Sequence, residues 1–159
     1  MSLDAAAIMA RAVVTVGPDD TVGLVAKVLS DHRISAVPVV APDGALLGMI
    51  SEGDLMRPFG QENALRRDWW LRLIAEGTDL SQEFLDYIRL DLHRVRDLMT
   101  SNVITASETT RIGELADLLA RHRIKRVPIL RDGKLTGIVS RADIVRALAR
   151  EDSAAVLQP

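Results

Sequence analysis

The amino-acid sequence predicts an α+β (α/β) fold made of two β-α-β-β-α repeats, with a helical insert between them. Three observations support this prediction. The phrase HRISAVPVV, which begins at His32, returns as HRIKRVPIL from His122. In both halves of the chain, short β-branched runs alternate with apolar residues at helical spacing. The aromatic side chains are confined to the middle of the chain, at Phe59, Trp69, Trp70, Phe84 and Tyr87.

The two repeats align along their whole length. Met9 falls on Met99, and after a slip of one residue Asp43-Gly44 falls on Asp132-Gly133. Each repeat has about fifty residues, which is small for an independent core, so we expect the two repeats to share one. The predicted boundaries are 1–58 for the first repeat, 59–94 for the insert, 95–150 for the second repeat and 151–159 for a C-terminal tail.

Each repeat is predicted to open with a strand and an amphipathic helix. The β-branched runs Val13–Val16 and Val103–Thr105 predict the strands. The helices should begin at polar residues that can cap them, which are Asp19 or Asp20 and Thr109 or Thr110. The apolar stripes of these helices comprise Val22, Val25, Ala26 and Leu29 in the first repeat, and Ile112, Leu115, Ala116 and Leu119 in the second.

A hairpin and a second helix complete each repeat. Asp-Gly is a strong hairpin signal, and it joins strands at Ala36–Val40 and Leu46–Ile50 in the first repeat. The second repeat joins Arg126–Leu130 to Leu135–Val139 in the same way, and a Ser-x-x-Asp sequence then opens a helix in both. Helices on one face leave the other face of each small sheet apolar. We therefore expect the sheets to pack together about a pseudo-twofold axis, with two crevices between the repeats.

Composition excludes several classes of function. The chain has no cysteine and a formal net charge of −2, which excludes thiol chemistry and gives no basic field to attract nucleic acid. No apolar run is long enough to span a membrane, so we expect a cytoplasmic protein. His32 and His122 fall at helix ends without a second ligand at metal spacing, so no metal site is predicted. Gly48 and Gly137 predict close backbone approach and not a phosphate loop, and without a nucleophile–base pair we expect no enzyme.

The ordered phrase His-Arg-Ile, Val-Pro, Asp-Gly and then Gly-x-x-Ser-x-x-Asp occurs once in each repeat. In this order it resembles a tandem pair of CBS (cystathionine-beta-synthase) domains, also called a Bateman module. The resemblance covers roughly Ile8–Arg57 and Leu98–Arg150. It implies a regulatory module that binds AMP, ADP, ATP or another adenosyl compound between the repeats, requires no cofactor, and signals to an attached or associated protein.

By this resemblance, Asp54 and Asp143 would hold the ribose hydroxyls of the ligand, and Ser51 and Ser140 would lie near its phosphate. The chemistry is suitable, because a carboxylate accepts from vicinal hydroxyls and a helix N-terminus attracts anions. The adenine ring would lie between aliphatic residues of both repeats, which are Ile34, Ser35 and Ile138 in one crevice and Ile124, Lys125 and Met49 in the other.

The second repeat carries three cations where the first has neutral or acidic residues. These cations are Lys125, Arg126 and Arg141, which correspond to Ser35, Ala36 and Glu52. By the resemblance they lie near the phosphates of the ligand, so we expect the Asp143 crevice to prefer a phosphorylated adenosine. We expect the Asp54 crevice to be weaker, empty or suited to a less charged ligand.

Each of these motifs also has a purely structural interpretation. Ser-x-x-Asp before an apolar run is an ordinary capping box. Lys125 and Arg126 are equally consistent with a solvated strand edge that guards against aggregation.

The insert at 59–94 differs from the repeats in its aromatic content. Apolar residues at helical spacing predict two short helices, one with Trp69 and Trp70 and one after Asp79. These helices pack either on the module itself or at an interface, where aromatic residues concentrate. We expect a homodimer, and an effector that is an unknown protein or a further domain after Pro159. The alternative function is a ligand-free dimerisation and interaction module that works through the CBS faces and the Trp-containing insert.

Overall fold

The computed structural model describes residues 3–56 and 93–156, which form short helices and small sheets. This mixture confirms the predicted α+β class. The predicted insert helices, with Trp69 and Trp70, lie outside the described residues. In chain order the elements are α1 (Ala5–Ile8), α2 (Val22–His32), β1 (Ala36–Val40), β2 (Leu46–Ser51), α3 (Glu52–Met56), α4 (Val95–Leu98), β3 (Ala106–Ser107), α5 (Ile112–Arg121), β4 (Arg126–Arg131), β5 (Lys134–Ser140) and α6 (Arg141–Val156).

One compact unit comprises Met1–Val14, Asp43–Leu46 and Val103–Pro159. Its sheet has the order β3-β4-β5, with β3 parallel to β4 and β4 antiparallel to β5. Asp132 (φ 52°) and Gly133 (φ 76°) form the turn between β4 and β5. Two-residue hairpin turns of this kind need positive φ at both positions, so the predicted Asp-Gly hairpin is confirmed.

The first strand of this unit lies further along the chain than predicted. The β-branched run predicts a strand over Val103–Thr105, whereas the paired residues are Ala106 and Ser107, opposite Ile129 and Leu130. Residues 103–105 are half-buried. β-Branched side chains indicate a half-buried extended surface and do not locate the hydrogen-bonded ladder, which explains the shift.

The core of this unit receives a helix from the start of the chain. Ala5 of α1 is fully buried, and its amide donates to the Thr110 carbonyl at 2.8 Å. This helix at the start of the first repeat is therefore part of the unit that contains most of the second repeat. The buried core residues are Ala5, Met9, Leu115, Leu119, Val127, Ile129, Val139 and Ile144.

The other compact unit comprises Thr15–Pro42 and Leu47–Asn102. It receives α4, which opens the second repeat. Val95 of α4 is fully buried, and its amide donates to the Asp20 carbonyl at 3.0 Å. The buried hydrophobic residues of this unit are Val16, Val22, Val25, Leu29, Val37, Val39, Ile50, Leu55, Val95 and Leu98.

The first strand predicted in this unit is reduced to a single pairing. Instead of a strand over Val13–Val16, one parallel bridge joins Val16 to Val39, beside the paired strands β1 and β2. Gly17 and Pro18 follow directly, and a proline has no amide hydrogen to donate to a ladder. The pairing therefore does not continue beyond Val16.

The caps of the two long repeat helices are one residue later than predicted. Thr21 is the N-cap of α2, with its hydroxyl accepting from the Leu24 amide at 3.2 Å, and Arg111 is the N-cap of α5. The candidates Asp20 and Thr110 close the preceding turns instead, accepting from the amides three residues earlier. Short polar side chains serve turns and caps equally well, so the sequence pattern could not separate the two roles.

Two glycines allow one segment of each unit to approach a strand closely. A Cβ at Gly48 would lie 2.6 Å from the Thr100 carbonyl oxygen, and one at Gly137 would lie 3.1 Å from the Ala10 carbonyl oxygen. The prediction of close backbone approach is confirmed. His32 matches its helix-end interpretation, since its Nδ1 lies 3.0 Å from the Val28 carbonyl oxygen.

Candidate functional site

The junction of β5 and α6 fixes the carboxylate of Asp143. The Asp143 Oδ2 atom accepts from the Ser140 amide at 2.7 Å and from the Ser140 hydroxyl at 2.9 Å. In return the Asp143 amide donates to the Ser140 hydroxyl oxygen at 3.3 Å. This is the reciprocal pattern of a capping box, and it holds the carboxylate in one orientation.

The other oxygen of the same carboxylate has an arginine partner. Arg146, three residues along α6, pairs through Nη2 with Asp143 Oδ1. The Asp143 side chain is 14% exposed, whereas that of Arg146 is 63% exposed. Arg146 is not among the site residues predicted from the sequence, although an acidic and a basic side chain three residues apart on a helix are a recognisable pairing signal.

Three of the predicted phosphate residues lie beside this capping box. Arg126, at the start of β4, is the ladder partner of Ser140. The Arg141 amide donates to the Lys125 carbonyl at 3.1 Å, and its Nε donates to the Ile124 carbonyl at 3.1 Å. The structure therefore brings the predicted cations to one end of the β-hairpin, and Lys125 itself is exposed. We call this set the Asp143 corner, which comprises Ile124, Lys125, Arg126, Ser140, Arg141 and Asp143.

The other unit contains a corner with the same backbone pattern. Asp54 Oδ2 accepts from the Ser51 amide at 2.9 Å and from the Ser51 hydroxyl at 3.0 Å. The Glu52 amide donates to the Ser35 carbonyl at 3.0 Å, as Arg141 does to Lys125. We call this set the Asp54 corner, which comprises Ile34, Ser35, Ser51, Glu52 and Asp54.

The two corners differ in burial and charge. Asp54 is 4% exposed as a residue, and the position equivalent to Arg141 carries the exposed carboxylate of Glu52. Of the residues that the structure describes, only the Asp143 corner therefore combines its carboxylate with several cations at the start of a helix.

The remaining predicted adenine residues lie on the two hairpins. Ile138 of β5 exchanges both backbone hydrogen bonds with Ala10, at 2.9 and 3.0 Å. Met49 of β2 does the same with Thr100, at 3.0 and 2.8 Å. The predicted adenine pockets stay predictions.

Within residues 3–56 and 93–156, no three His, Cys, Asp or Glu side chains cluster so that they could hold a metal ion. Over the same ranges, no helix combines the length and the apolar character needed to cross a bilayer.

Comparison with known proteins identifies the repeats. A family model described as CBS domain matches residues 5–59 and 95–150. An uncharacterized protein of Methanocaldococcus jannaschii is 33% identical over 149 residues, which cover 89% of this chain and 88% of the relative.

Solved structures share the fold. The CBS domain of a CBS domain-containing membrane protein from Sphaerobacter thermophilus is 31% identical, with a TM-score of 0.69 over 91% of this chain and 87% of that one. CBSX2 from Arabidopsis thaliana, solved in complex with AMP, is 24% identical, with a TM-score of 0.69 over 94% of this chain and 98% of that one. At that identity the likeness to CBSX2 concerns the fold alone.

Proposed function

Because this chain belongs to the CBS domain family, we propose that it is a regulatory module that senses an adenine nucleotide or another adenosyl compound. The observation that carries the proposal is the Asp143 corner. There a carboxylate of fixed orientation adjoins a group of cations at the start of a long helix. These two features match the two polar parts of a nucleoside phosphate, the ribose diol and the phosphate.

The ribose hydroxyls are assigned to Asp143 and Asp54. Both carboxylates are held by a serine amide and hydroxyl three residues earlier, so neither needs to be ordered when a ligand arrives. Side chains that are already in the bound orientation lose less conformational entropy on binding. In this proposal the half-buried capping box at Asp143 serves helix α6 and the ligand together.

The phosphate is assigned to the Asp143 corner. Lys125, Arg126 and Arg141 supply positive charge there, and Ser140 supplies a hydroxyl beside the first turn of α6. Charge-assisted hydrogen bonds from such groups are roughly twice as strong as neutral ones. The Asp54 corner has Glu52 in place of Arg141, so we propose that it is weaker, empty or occupied by a less charged ligand.

The adenine ring is assigned to aliphatic neighbours, because the repeats contain no aromatic side chain to stack on it. The proposed contacts are Ile34, Ser35 and Ile138 for one pocket and Ile124, Lys125 and Met49 for the other. The complex of CBSX2 with AMP supports an adenosyl ligand, because that protein has this fold. Aliphatic contacts alone give modest affinity, so the phosphate should decide how tightly a ligand binds.

The output of the module is a change in packing. A ligand that prefers one of two arrangements shifts the population toward it. We propose that this shift is transmitted to an attached or associated effector protein, or to another chain in a homodimer, and that the module has no catalytic role of its own.

A second candidate function is a ligand-free interaction module. Val145 and Leu148 of α6 are 64% and 50% exposed, and they lie one turn apart on the same helix. Adjacent exposed apolar side chains are typical of protein interfaces. In that case association between chains, and not a small molecule, would be the function.

A thermal-shift titration with AMP, ADP, ATP, NADH and S-adenosylmethionine separates the two candidates. A ligand at about a hundred times its dissociation constant adds roughly 2.7 kcal/mol of stability, which is readily measured. The proposal expects a shift with phosphorylated ligands that disappears in Asp143→Ala and persists in Asp117→Ala, a matched change at an acidic residue on α5. A flat response to every ligand, together with a Val145→Glu variant that dissociates a wild-type dimer, would favour the interaction module.

A further inference from the structure

We propose that Arg146 is a built-in competitor for the ribose site, so that a ligand with a vicinal diol binds by displacing this arginine from Asp143. The inference rests on the proposed function, since it concerns which side chain occupies the Asp143 carboxylate without ligand. Arg146 already occupies Asp143 Oδ1 in the described structure. The exchange involves no covalent step: one ion pair opens and two hydrogen bonds from the diol form.

The acceptor capacity of the carboxylate carries the argument. An ionised carboxylate has about four lone-pair positions, two on each oxygen. The Ser140 amide and hydroxyl already donate to Oδ2, at 2.7 and 2.9 Å. Arg146 takes one position on Oδ1, which leaves one. A vicinal diol has two hydroxyl donors, so it cannot bind fully to Asp143 while Arg146 stays in place.

The exposure of the two side chains fits a movable competitor. Asp143 is 14% exposed and fixed by Ser140, whereas Arg146 is 63% exposed and has a long, flexible side chain. The arginine end of the pair is exposed to solvent, which weakens the pairing, so Arg146 can leave at small cost when the diol replaces it on Asp143. The same weakness limits its effect, and Arg146 should adjust the affinity of the site without closing it completely.

The position of Arg146 separates it from the cations assigned to phosphate. Arg141 contacts the Ile124 carbonyl at the start of α6. Arg146 follows five residues later, about 7.5 Å along the helix axis at roughly 1.5 Å per residue, and its partner is the ribose carboxylate. The sequence places Arg57 at the same spacing after Asp54, so the arrangement occurs in both repeats at the level of sequence.

The experiment compares AMP with 2′-deoxy-AMP, which carry the same phosphate and base and differ in the diol. Isothermal titration of Arg146→Gln should show AMP binding about two- to five-fold tighter than in the wild type, as expected for loss of an exposed competing ion pair. The gain for 2′-deoxy-AMP should be smaller, because it donates one hydroxyl fewer. Arg150→Gln removes the same charge from an exposed position one turn further along α6, and it should leave both affinities unchanged.

Several results would overturn the proposal. If Arg146→Gln weakens AMP and 2′-deoxy-AMP equally, the arginine binds phosphate and does not compete with the diol. If AMP affinity is unchanged in Arg146→Gln but lost in Asp143→Ala, the competitor is excluded while the proposed function stands. If neither the wild type nor Arg146→Gln binds any nucleotide, both proposals fail together.

Discussion

Met9 packs directly against Gly137, and a Cβ at position 137 would lie 2.7 Å from the Met9 Cγ atom. The contact joins a segment at the start of the first repeat to a strand of the second. Gly48 has the equivalent neighbours, Met99 and Thr100. In both units, a methionine from the start of one repeat packs against a glycine in a strand of the other repeat.

The first prediction follows from this contact. Gly137→Ala should lower the free energy of unfolding by about 1–3 kcal/mol, because overpacking forces neighbouring atoms to move. Gly113→Ala is the matched control, since a Cβ added at Gly113 in α5 would meet no atom within 4 Å. The control should raise stability by about 0.5–1 kcal/mol through helix propensity. Urea unfolding measures both, and equal effects of the two changes would contradict the packing argument.

A second prediction concerns the start of α2. Thr21→Ala should cost about 1 kcal/mol of stability, since it leaves the Leu24 amide without its cap. Thr21→Ser keeps the hydroxyl and should retain most of the stability. Asp19→Ala, at an exposed side chain that pairs with Arg96, should cost less than about 1 kcal/mol. Thermal unfolding ranks the three variants, and a larger loss in Asp19→Ala than in Thr21→Ala would show that the cap is misplaced.

The third prediction is a dependence of stability on pH. A hydrogen bond from Arg131 lowers the pKa of the Glu108 carboxyl below its ordinary value. Because the folded-state pKa is depressed, the stability from this pair is complete above the unfolded-state value of about 4.5. It is lost as pH falls through the folded-state pKa, because the unfolded chain binds the proton more readily.

Urea midpoints measured across the acid range test this dependence. Glu108→Gln should lower stability at neutral pH and reduce the loss of stability on acidification relative to the wild type. Glu151→Gln, at an exposed residue of α6, is the matched control and should keep the wild-type slope. If Glu108→Gln and the wild type lose stability equally steeply on acidification, the Glu108–Arg131 ion pair does not cause the pH dependence.

The fourth prediction tests the charge difference between the corners. Lys125→Gln should weaken AMP binding by about two- to five-fold, as expected for one exposed cation near a phosphate. Adenosine binding should change less, because adenosine has no phosphate. Lys27→Gln removes an exposed lysine that pairs with Asp31 in the other unit, and it should affect neither ligand. Equal weakening of AMP and adenosine in Lys125→Gln would contradict the assignment of Lys125 to the phosphate and leave it the adenine contact alone.

The repeat structure and the hairpins could be predicted from sequence, because Asp-Gly turns and apolar periodicity are local signals. Ser140 and Asp143 were also predictable, since a capping box lies within four residues of chain. The N-caps were predicted one residue early, because Asp20 and Thr21 have similar capping chemistry and only the path of the backbone separates them. The strand at Ala106 was misplaced since ladder pairing depends on Ile129, far along the chain.

Two features depend on tertiary structure and left little trace in the sequence. The exchange of α1 and α4 between the units follows from long-range packing of Ala5 and Val95, which nothing nearby in the chain indicates. α6 also continues to Val156, into the segment predicted to be a tail. Its residues after Arg150 are mostly polar and small, which weakens a periodic signal without preventing a helix from propagating.

The most direct test of the central claim is an isothermal titration of AMP into the wild type, Asp143→Ala and Asp54→Ala, with both affinity and stoichiometry measured. The account predicts that the tighter site disappears in Asp143→Ala and survives in Asp54→Ala, because among the described residues the cations adjoin the proposed ribose carboxylate of the Asp143 corner. AMP binding that is unaffected by Asp143→Ala, or a tighter site that is lost in Asp54→Ala instead, would contradict the assignment of the nucleotide to this corner.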